Sequence, residues 1–217
     1  MNIFIAGGTG YIGVRLIAEL LQCGHSVQAL ARKGAEQKLP PGCTPIIGNA
    51  LNKNSYMNQI LPADTFVHLV GVSHPNPSKA EQFRSIDLVS VQNAVPAAVA
   101  MGIKHFVYVS VAHPAPVMKA YWQTRVECEA IVRVSGLNAT ILRPWYVLGP
   151  GHWWPYMLMP IYWFFERLPA TRETAQRLGL VTRQQMLAAL VRAIENPAHG
   201  IRIWTAMQIR EIAQLNH

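Results

Sequence analysis

The sequence of 217 residues is poor in acidic side chains. It contains 11 Asp and Glu residues against 19 Lys and Arg, only two of the acids are Asp, and the formal net charge is +8. Such a surface attracts anions in general, whether phosphates, acidic lipid or nucleic acid. The basic residues are scattered, with Arg32-Lys33 as their only adjacent pair. Because nucleic-acid binding typically uses a basic run or stripe, we predict no nucleic-acid partner.

Cysteine is also scarce. Cys23, Cys43 and Cys128 are isolated and odd in number, which argues against a disulfide framework or a cysteine-based zinc site and favours a reducing, cytoplasmic environment. The eight histidines show no HxH or HxxxH spacing. We therefore predict no metal site.

The sequence shows no feature typical of a signal peptide or a membrane span. The first apolar stretch, 2–6, runs directly into Gly7-Gly8 without a basic region, a long apolar core or a cleavage site. The longest uncharged stretch, 144–165, has the length of a span but contains four prolines. Each would remove a helical hydrogen bond, so we expect no transmembrane helix, although contact with a membrane surface stays open.

Apolar stretches of strand length alternate with longer segments of helical periodicity. The pattern predicts strands at 3–6, 26–31, 45–48, 65–70, 104–110 and 139–142, with an edge or seventh strand at 201–205. Helices are predicted at 11–23, 52–61, 80–101, 119–134 and 182–194, the last opened by a capping box at Thr182 and Gln185. Alternating strands and helices indicate βαβ units. We predict one α/β domain with a doubly wound, Rossmann-like parallel sheet in the order 3-2-1-4-5-6.

The segment Gly7-Gly8-Thr9-Gly10-Tyr11-Ile12-Gly13 lies between a predicted strand and a predicted helix. In this context Gly7 permits a tight turn, Gly10 lets the backbone approach a pyrophosphate, and Gly13 lets the helix pack on the strand. The N-terminus of the helix offers N–H groups to phosphates. The loop therefore predicts dinucleotide binding through Gly7, Thr9, Gly10, Tyr11, Ile12 and Gly13.

Four segments together resemble the atypical and extended short-chain dehydrogenase/reductases: GGTGYIG at 7–13, ALAR at 29–32, HFVYVS at 105–110 and ILRPWYVLGPG at 141–151. Similar groups are the NmrA-like NAD(P)H-binding proteins and the NADPH-binding accessory subunit of respiratory complex I. The resemblance implies an NAD(P)-binding core over 1–150 and a short C-terminal extension of the same domain over 151–217. It also implies cofactor contacts from Asn49, Ala50, Val70, Gly71, Ser110, Pro144 and Val147.

The end of the second predicted strand bears on the choice of nucleotide. NAD-specific folds usually carry an acid there that binds the ribose 2′-OH, whereas this chain has Arg32-Lys33 and no acid before Glu36. A guanidinium pairs with a 2′-phosphate. NADP(H) is therefore the preferred cofactor, with NAD(H) as the alternative and a solvated basic turn as the interpretation without a ligand.

Catalytic members of the resembling family use Tyr-xxx-Lys on a helix and a Ser after the fifth strand. Here Tyr121 and Arg125 occupy the Tyr and Lys places, and Ser110 lies one residue before the usual Ser position. Arg125 keeps the charge but cannot relay a proton. The alternative is an ordinary helix in which Arg125 pairs with Glu129 at i,i+4. His113 is a substitute acid or base, or an exposed loop residue.

The segment 145–165 holds nine aromatic residues. It could line an apolar cleft for a quinone-like ligand, dock on a protein partner or a membrane surface, or only complete the core. The leading functional hypothesis is an NADP(H)-dependent oxidoreductase acting on a small apolar carbonyl or quinone-like substrate. The alternative is a non-catalytic NADP(H)-binding module that serves as a redox sensor or accessory subunit.

Overall fold

The computed structural model describes residues 1–60, 62–115, 117–149 and 178–214. Its strands are β1 (Asn2–Ala6), β2 (Ser26–Ala31), β3 (Thr44–Ile47), β4 (Thr65–His68), β5 (His105–Val109), β6 (Ala139–Arg143), β7 (Tyr146–Leu148), β8 (Leu180–Thr182) and β9 (Ile201–Thr205). The α-helices are α1 (Gly13–Gln22), α2 (80–100), α3 (Lys119–Val134), α4 (Arg183–Glu195) and α5 (Ala206–Gln214). Helix α2 joins Ala80–Gln82, π-helical Phe83–Leu88 and Val89–Ala100.

A seven-stranded sheet organises the domain. Its order is β3-β2-β1-β4-β5-β6-β9, and every neighbouring pair is parallel. The predicted α/β class, the order 3-2-1-4-5-6 and the seventh strand at 201–205 are confirmed. Because the order reverses between β1 and β4, their carboxyl ends open a crevice, which is where such sheets bind ligands.

Helices cover both faces of the sheet. Helices α2 and α3 pack on one face through residues such as Val91 and Cys128, together with a row of strand aromatics. The rings of Phe4, Phe66 and Phe106 follow one another across β1, β4 and β5, with centroids 5.0 and 5.2 Å apart. Helices α1, α4 and α5 pack on the other face. Because helices cover both faces of the sheet, its strands are continuous apolar stretches in the sequence.

The helix predicted at 52–61 is wrong. The described part of this segment forms two short 3₁₀ turns, Lys53–Ser55 and Met57–Gln59. The Asn52 side chain accepts a hydrogen bond from the Asn54 N–H, and the Lys53 N–H donates to the Asn93 side chain. Polar side chains that bind nearby backbone groups compete with a regular helix in this way.

Three elements after residue 145 were not predicted, namely β7, β8 and α5. A small parallel sheet pairs β7 with β8, and α5 follows β9 directly. Thr205 and Gln208 exchange hydrogen bonds across the first turn of α5, as Thr182 and Gln185 do at α4. The Thr-x-x-Gln spacing was therefore a usable signal for this helix. Of the aromatic segment 145–165, residues 150–165 lie outside the described residues.

None of the described helices is long and apolar enough to cross a membrane.

His68 is buried at the carboxyl end of β4. It is 1% exposed, its ring lies 5.7 Å from that of Tyr108, and neither ring nitrogen has a hydrogen-bond partner among the described residues. Burial, reinforced by the charge of Arg125, lowers the pKa of His68 to about 3. Burial and Arg202 likewise lower the pKa of His105 to about 4. Both histidines are thus neutral in the folded protein at neutral pH.

We expect acid to destabilise the fold through these histidines. Their pKa values are lower in the folded than in the unfolded chain, so the unfolded state takes up more protons as the pH falls below about 6.5. Between pH 6 and 4.5, His68→Leu should reduce the slope of unfolding free energy against pH by about 1.4 kcal/mol per pH unit. Urea titrations at several pH values measure this slope. The exposed His199 provides a control, His199→Gln, and an equal slope in both variants would contradict the prediction.

Candidate functional site

The glycine loop after β1 requires glycine for steric reasons. Gly7 has φ +90°, and a β-carbon there would lie 2.8 Å from the carbonyl carbon of Leu69. A β-carbon on Gly13 would run into the Gly7 carbonyl oxygen. That oxygen accepts a hydrogen bond from the Gly10 N–H at 3.1 Å. The loop is thus folded tightly between the end of β4 and the start of α1.

The N-terminus of α1 fits an anionic group. The helix begins at Gly13, no side chain caps it at Ile12, and no acid stands in its first turn. The Val14 N–H donates to the Gly10 carbonyl oxygen at 3.1 Å, and the N–H groups just before it and the positive end of the helix dipole are available to a phosphate. A dinucleotide pyrophosphate fits this end of the helix.

A cavity of about 380 Å³ runs from the glycine loop across the ends of β2 and β4. Eight predicted cofactor residues lie in its wall: Gly7, Thr9, Gly10, Arg32, Asn49, Ala50, Val70 and Gly71. Gly48 and Val72, which adjoin predicted residues in the same two turns, also lie in the wall. Sequence reasoning missed its remaining residues: Leu30, Leu51, Leu69, Ser73, Gln82 and Ile86. Gln82 and Ile86 lie on one face of α2 at i,i+4 spacing. This spacing could have indicated that both residues line the cavity.

Seven predicted cofactor residues lie outside this wall, and Gly13, Lys33 and Tyr11 are three of them. Gly13 is buried behind the loop, and Lys33 is exposed beyond the cavity. Tyr11 is turned toward the C-terminal part of the chain, where its hydroxyl accepts a hydrogen bond at 3.2 Å from Arg183 of α4. Arg32 and Lys33, adjacent in sequence, therefore differ in their relation to the cavity.

Asn49 shapes the turn after β3. Its side-chain oxygen accepts a hydrogen bond from the Leu51 N–H at 3.0 Å, and its own N–H donates to the Ser55 hydroxyl at 2.9 Å. These bonds hold the turn in the cavity wall.

A second cavity of about 90 Å³ adjoins the first and shares Leu69 with it. It brings together the three predicted catalytic residues, Ser110, Tyr121 and Arg125, and two predicted cofactor residues, Ile12 and Val147. Its remaining walls are Leu69, Val109 and Met186. Pro144 lines neither cavity; its carbonyl oxygen accepts from the Ala112 N–H.

Arg125 does not pair with Glu129, the alternative that the helical spacing left open. The guanidinium is 6% exposed and pairs with Asp87 at 2.5 Å between Nη2 and Oδ1. Its Nη1 donates to the Tyr108 hydroxyl and to the Val109 carbonyl, both at 3.1 Å. Burial raises the pKa of the Asp87 carboxyl, and the charge of Arg125 opposes that rise.

Glu129 collects a different set of partners. It accepts hydrogen bonds from Ser110 Oγ at 2.7 Å and Arg143 Nε at 2.9 Å, and its Oε1 lies 3.2 Å from His113 Nε2. Although burial raises the pKa of Glu129, the bonds from His113, Arg143 and Ser110 bring it down to about 2. His113 is therefore bound to a buried carboxylate, and Ser110 donates its hydrogen away from the cavity.

Tyr121 is half-buried beside these charges. Its ring packs against Phe83 at a centroid distance of 4.9 Å, and the guanidinium carbon of Arg125 lies 5.3 Å from its centroid. Within the described residues, no group of three His, Cys, Asp or Glu side chains could hold a metal ion.

The chain matches a family model described as NAD(P)H-binding over residues 7–150, and it belongs to this NAD(P)H-binding family. The resemblance to the short-chain dehydrogenase/reductases is thereby confirmed at the level of an NAD(P)-binding member with a Rossmann-like fold.

Two curated relatives illustrate the range of the family. The chain is 30% identical over 156 residues to an uncharacterised sugar epimerase, YhfK, of Bacillus subtilis, covering 66% of this chain and 71% of that protein. It is 26% identical over 171 residues to 4-hydroxy-2-methyl-3-oxo-4-farnesyl-3,4-dihydroquinoline-1-oxide ketoreductase of Stigmatella aurantiaca, covering 69% of this chain. The chain spans about half the length of the latter.

Among solved structures, the Bordetella bronchiseptica enzyme WbmH in complex with NAD+ superimposes with a TM-score of 0.69. The match covers 98% of this chain and 79% of WbmH at 21% identity. Likeness at this identity establishes the fold.

We expect Gly10→Ala to weaken nucleotide binding by about tenfold or more, equivalent to about 1.4 kcal/mol. The added β-carbon would lie 3.2 Å from the Gly7 carbonyl oxygen, and Gly10 is itself exposed and lines the cavity. Calorimetric titration with NADPH measures the loss. Gly136→Ala is the control, because Gly136 lies outside the cavity and its positive φ makes the added β-carbon at least as straining for the backbone. Equal affinities in the two variants would remove the loop from the binding site.

Proposed function

We propose that the chain binds NADP(H) in the larger cavity and reduces a small apolar carbonyl or quinone-like substrate at the smaller one. The observation that carries this proposal is that the two cavities share Leu69 in their walls. The glycine loop lines the larger cavity and Tyr121 lines the smaller one. A dinucleotide that extends from the glycine loop past Leu69 would bring its nicotinamide to the second cavity.

The preference for NADP(H) is supported by the charge of the larger cavity. Arg32 is the charged side chain of the described lining, which contains no Asp or Glu. A guanidinium pairs with a 2′-phosphate, whereas a carboxylate would repel it. NAD(H) remains the alternative cofactor, as in the NAD+ complex of WbmH.

Tyr121 is the proposed proton donor. When bound, reduced nicotinamide supplies a hydride equivalent to the substrate carbon. The substrate oxygen then takes the proton of the Tyr121 hydroxyl, and the phenolate left behind is stabilised by Arg125, 5.3 Å from the ring. Solvent returns the proton afterwards.

The apolar lining supports a small apolar substrate. Ile12, Leu69, Val109, Val147 and Met186 leave few polar partners for a sugar-like ligand in the second cavity. The Stigmatella relative is named for carbonyl reduction of a farnesylated quinoline oxide. Val147 belongs to the aromatic segment 145–165. We propose that this segment supplies further residues to the substrate site or a surface for a protein partner. A cytoplasmic location, in keeping with the scarce cysteines, belongs to the same proposal.

A non-catalytic NADP(H)-binding module is the second candidate. It is favoured by the hydrogen bonds of two predicted catalytic residues: Ser110 donates to Glu129, and Arg125 is occupied by Asp87, Tyr108 and Val109. In this interpretation the nucleotide changes stability or partner binding and is not consumed.

Arg32→Ala should abolish most of the preference for NADPH over NADH. The loss corresponds to about 1–3 kcal/mol, the range for charge-assisted hydrogen bonds. Lys33→Ala is the matched control, since Lys33 is the neighbouring cation and does not line the cavity. Calorimetric titration of both nucleotides into each variant measures the preference. Equal affinities for NADPH and NADH in the wild type would refute the choice of cofactor.

Tyr121→Phe should lower turnover by about 10²–10⁴-fold, the usual contribution of a positioned general acid. Nucleotide affinity should hardly change, because the ring and its packing are kept. A panel of small quinones and aldehydes with NADPH, followed by nucleotide absorbance, supplies the assay. Tyr56→Phe is the control, since the Tyr56 hydroxyl is buried, has no partner among the described residues and lies outside both cavities. Brisk turnover unaffected by Tyr121→Phe would refute this role.

A further inference from the structure

The proposed reaction uses the charge of Arg125 but gives no role to Asp87, the carboxylate that pairs with it in the interior. Asp87 is fully buried and Arg125 is 6% exposed. Two opposite charges withdrawn from water are costly unless they satisfy each other and their remaining polar atoms. Their other contacts therefore indicate what the pair holds in place.

Asp87 ties the pair to the wall of the nucleotide cavity. Its Oδ2 accepts a hydrogen bond at 3.0 Å from the N–H of Val72, and Val72 lines that cavity. Asp87 lies in the π-helical part of α2, Phe83–Leu88. Such local widening of a helix often marks a functional position.

Gly71 shows how closely the pair approaches the same wall. A β-carbon on Gly71 would meet Nη2 of Arg125 and lie 3.1 Å from Oδ1 of Asp87. The backbone of residues 71–72 is thus packed directly against the ion pair. Glycine is required here by the guanidinium that lies behind it.

Arg125 connects this wall with the second cavity. While Nη2 faces Asp87, Nη1 is held by the Tyr108 hydroxyl and the Val109 carbonyl. The guanidinium carbon also lies near the Tyr121 ring. Both terminal nitrogens of the guanidinium therefore contact protein atoms, whereas its buried Nε has no hydrogen-bond partner among the described residues.

We propose that Asp87 and Arg125 are positioning residues that hold the 71–72 segment against the bound nucleotide and keep the Tyr121 ring beside the substrate cavity. This inference rests on the proposed function. It means that Arg125 affects nucleotide binding indirectly, through Asp87 and the 71–72 backbone. It differs from the direct contact with the nicotinamide ribose that the family resemblance implies for this position.

Suppression of one substitution by another tests the arrangement. Gly71→Ala should weaken NADPH binding by about tenfold through its contact with Nη2. Adding Arg125→Lys keeps the positive charge but removes Nη2, so the double variant should regain about threefold or more of the lost affinity. If Arg125 instead contacts the ribose directly, the double variant should bind no better than Gly71→Ala.

A second variant keeps the proposal falsifiable if Gly71→Ala fails to fold. Asp87→Asn retains the shape of the side chain but leaves Arg125 without a counter-charge, and should weaken NADPH binding by about tenfold. The control is Glu127→Gln, which breaks the exposed pair of Arg84 on α2 with Glu127 on α3. This pair joins the same two helices at the surface, and its loss should leave the NADPH affinity within about twofold of the wild type.

Calorimetric titration of NADPH into the full chain, with melting temperatures measured in parallel, provides the readout. A merely structural role would lower the melting temperature of Asp87→Asn and leave its NADPH affinity unchanged, and that result would overturn the inference. Absence of suppression in the Gly71→Ala, Arg125→Lys double variant would overturn it equally. A wild-type chain that binds no NADPH would instead refute the proposed function, and this inference with it.

Discussion

The close approach of the glycine loop to the segment after β4 is the constraint on which the site depends. A β-carbon on Gly7 would lie 2.8 Å from the Leu69 carbonyl carbon, and the segment that follows, 69–73, lines the larger cavity with the loop. The two backbones can meet here because β1 and β4 are neighbours and the strand order reverses between them. This contact therefore closes the loop and places Leu69 in the walls of both cavities.

The second organising feature is that two buried carboxylates, Asp87 and Glu129, bind different sets of partners. Asp87 holds Arg125 and the Val72 N–H, whereas Glu129 holds Arg143, Ser110 and His113. Removing one member of such a set would leave an uncompensated charge in the interior. The surface of the chain is strongly basic, with a net charge of +8, but these acids are placed where they fix the ends of β4, β5 and β6. Although acidic residues are scarce in the sequence, two of them are buried at the site.

Most of the fold could be predicted from local sequence patterns. The glycine loop and the capping box at Thr182 follow from spacing within short segments, the strand order follows from the alternation of strands and helices, and each is present. The partner of Arg125 could not be found in this way. Its spacing to Glu129 satisfied the i,i+4 rule, but Glu129 turns to Arg143 on β6, and Asp87 reaches Arg125 from α2. Both pairings arise from packing between different elements, which the spacing within one helix does not reveal. The helix predicted at 52–61 is wrong for a local reason, since Asn and Ser side chains of the segment itself bind nearby backbone groups and compete with the helix.

The direction of the Ser110 hydrogen narrows what the second cavity can do. Glu129 is bound to two arginines and is ionised, so it can only accept, and the single hydrogen of Ser110 is donated to it. The Ser110 oxygen retains lone pairs and can present only an acceptor to a ligand. Arg125 directs its terminal nitrogens at protein atoms. Nε of Arg125 has no hydrogen-bond partner in the described part of the chain but is fully buried. Among the described residues that line this cavity, the Tyr121 hydroxyl is then the side-chain donor that a substrate oxygen could reach. The distinction between a reductase and a nucleotide-binding module thus depends on one hydroxyl group.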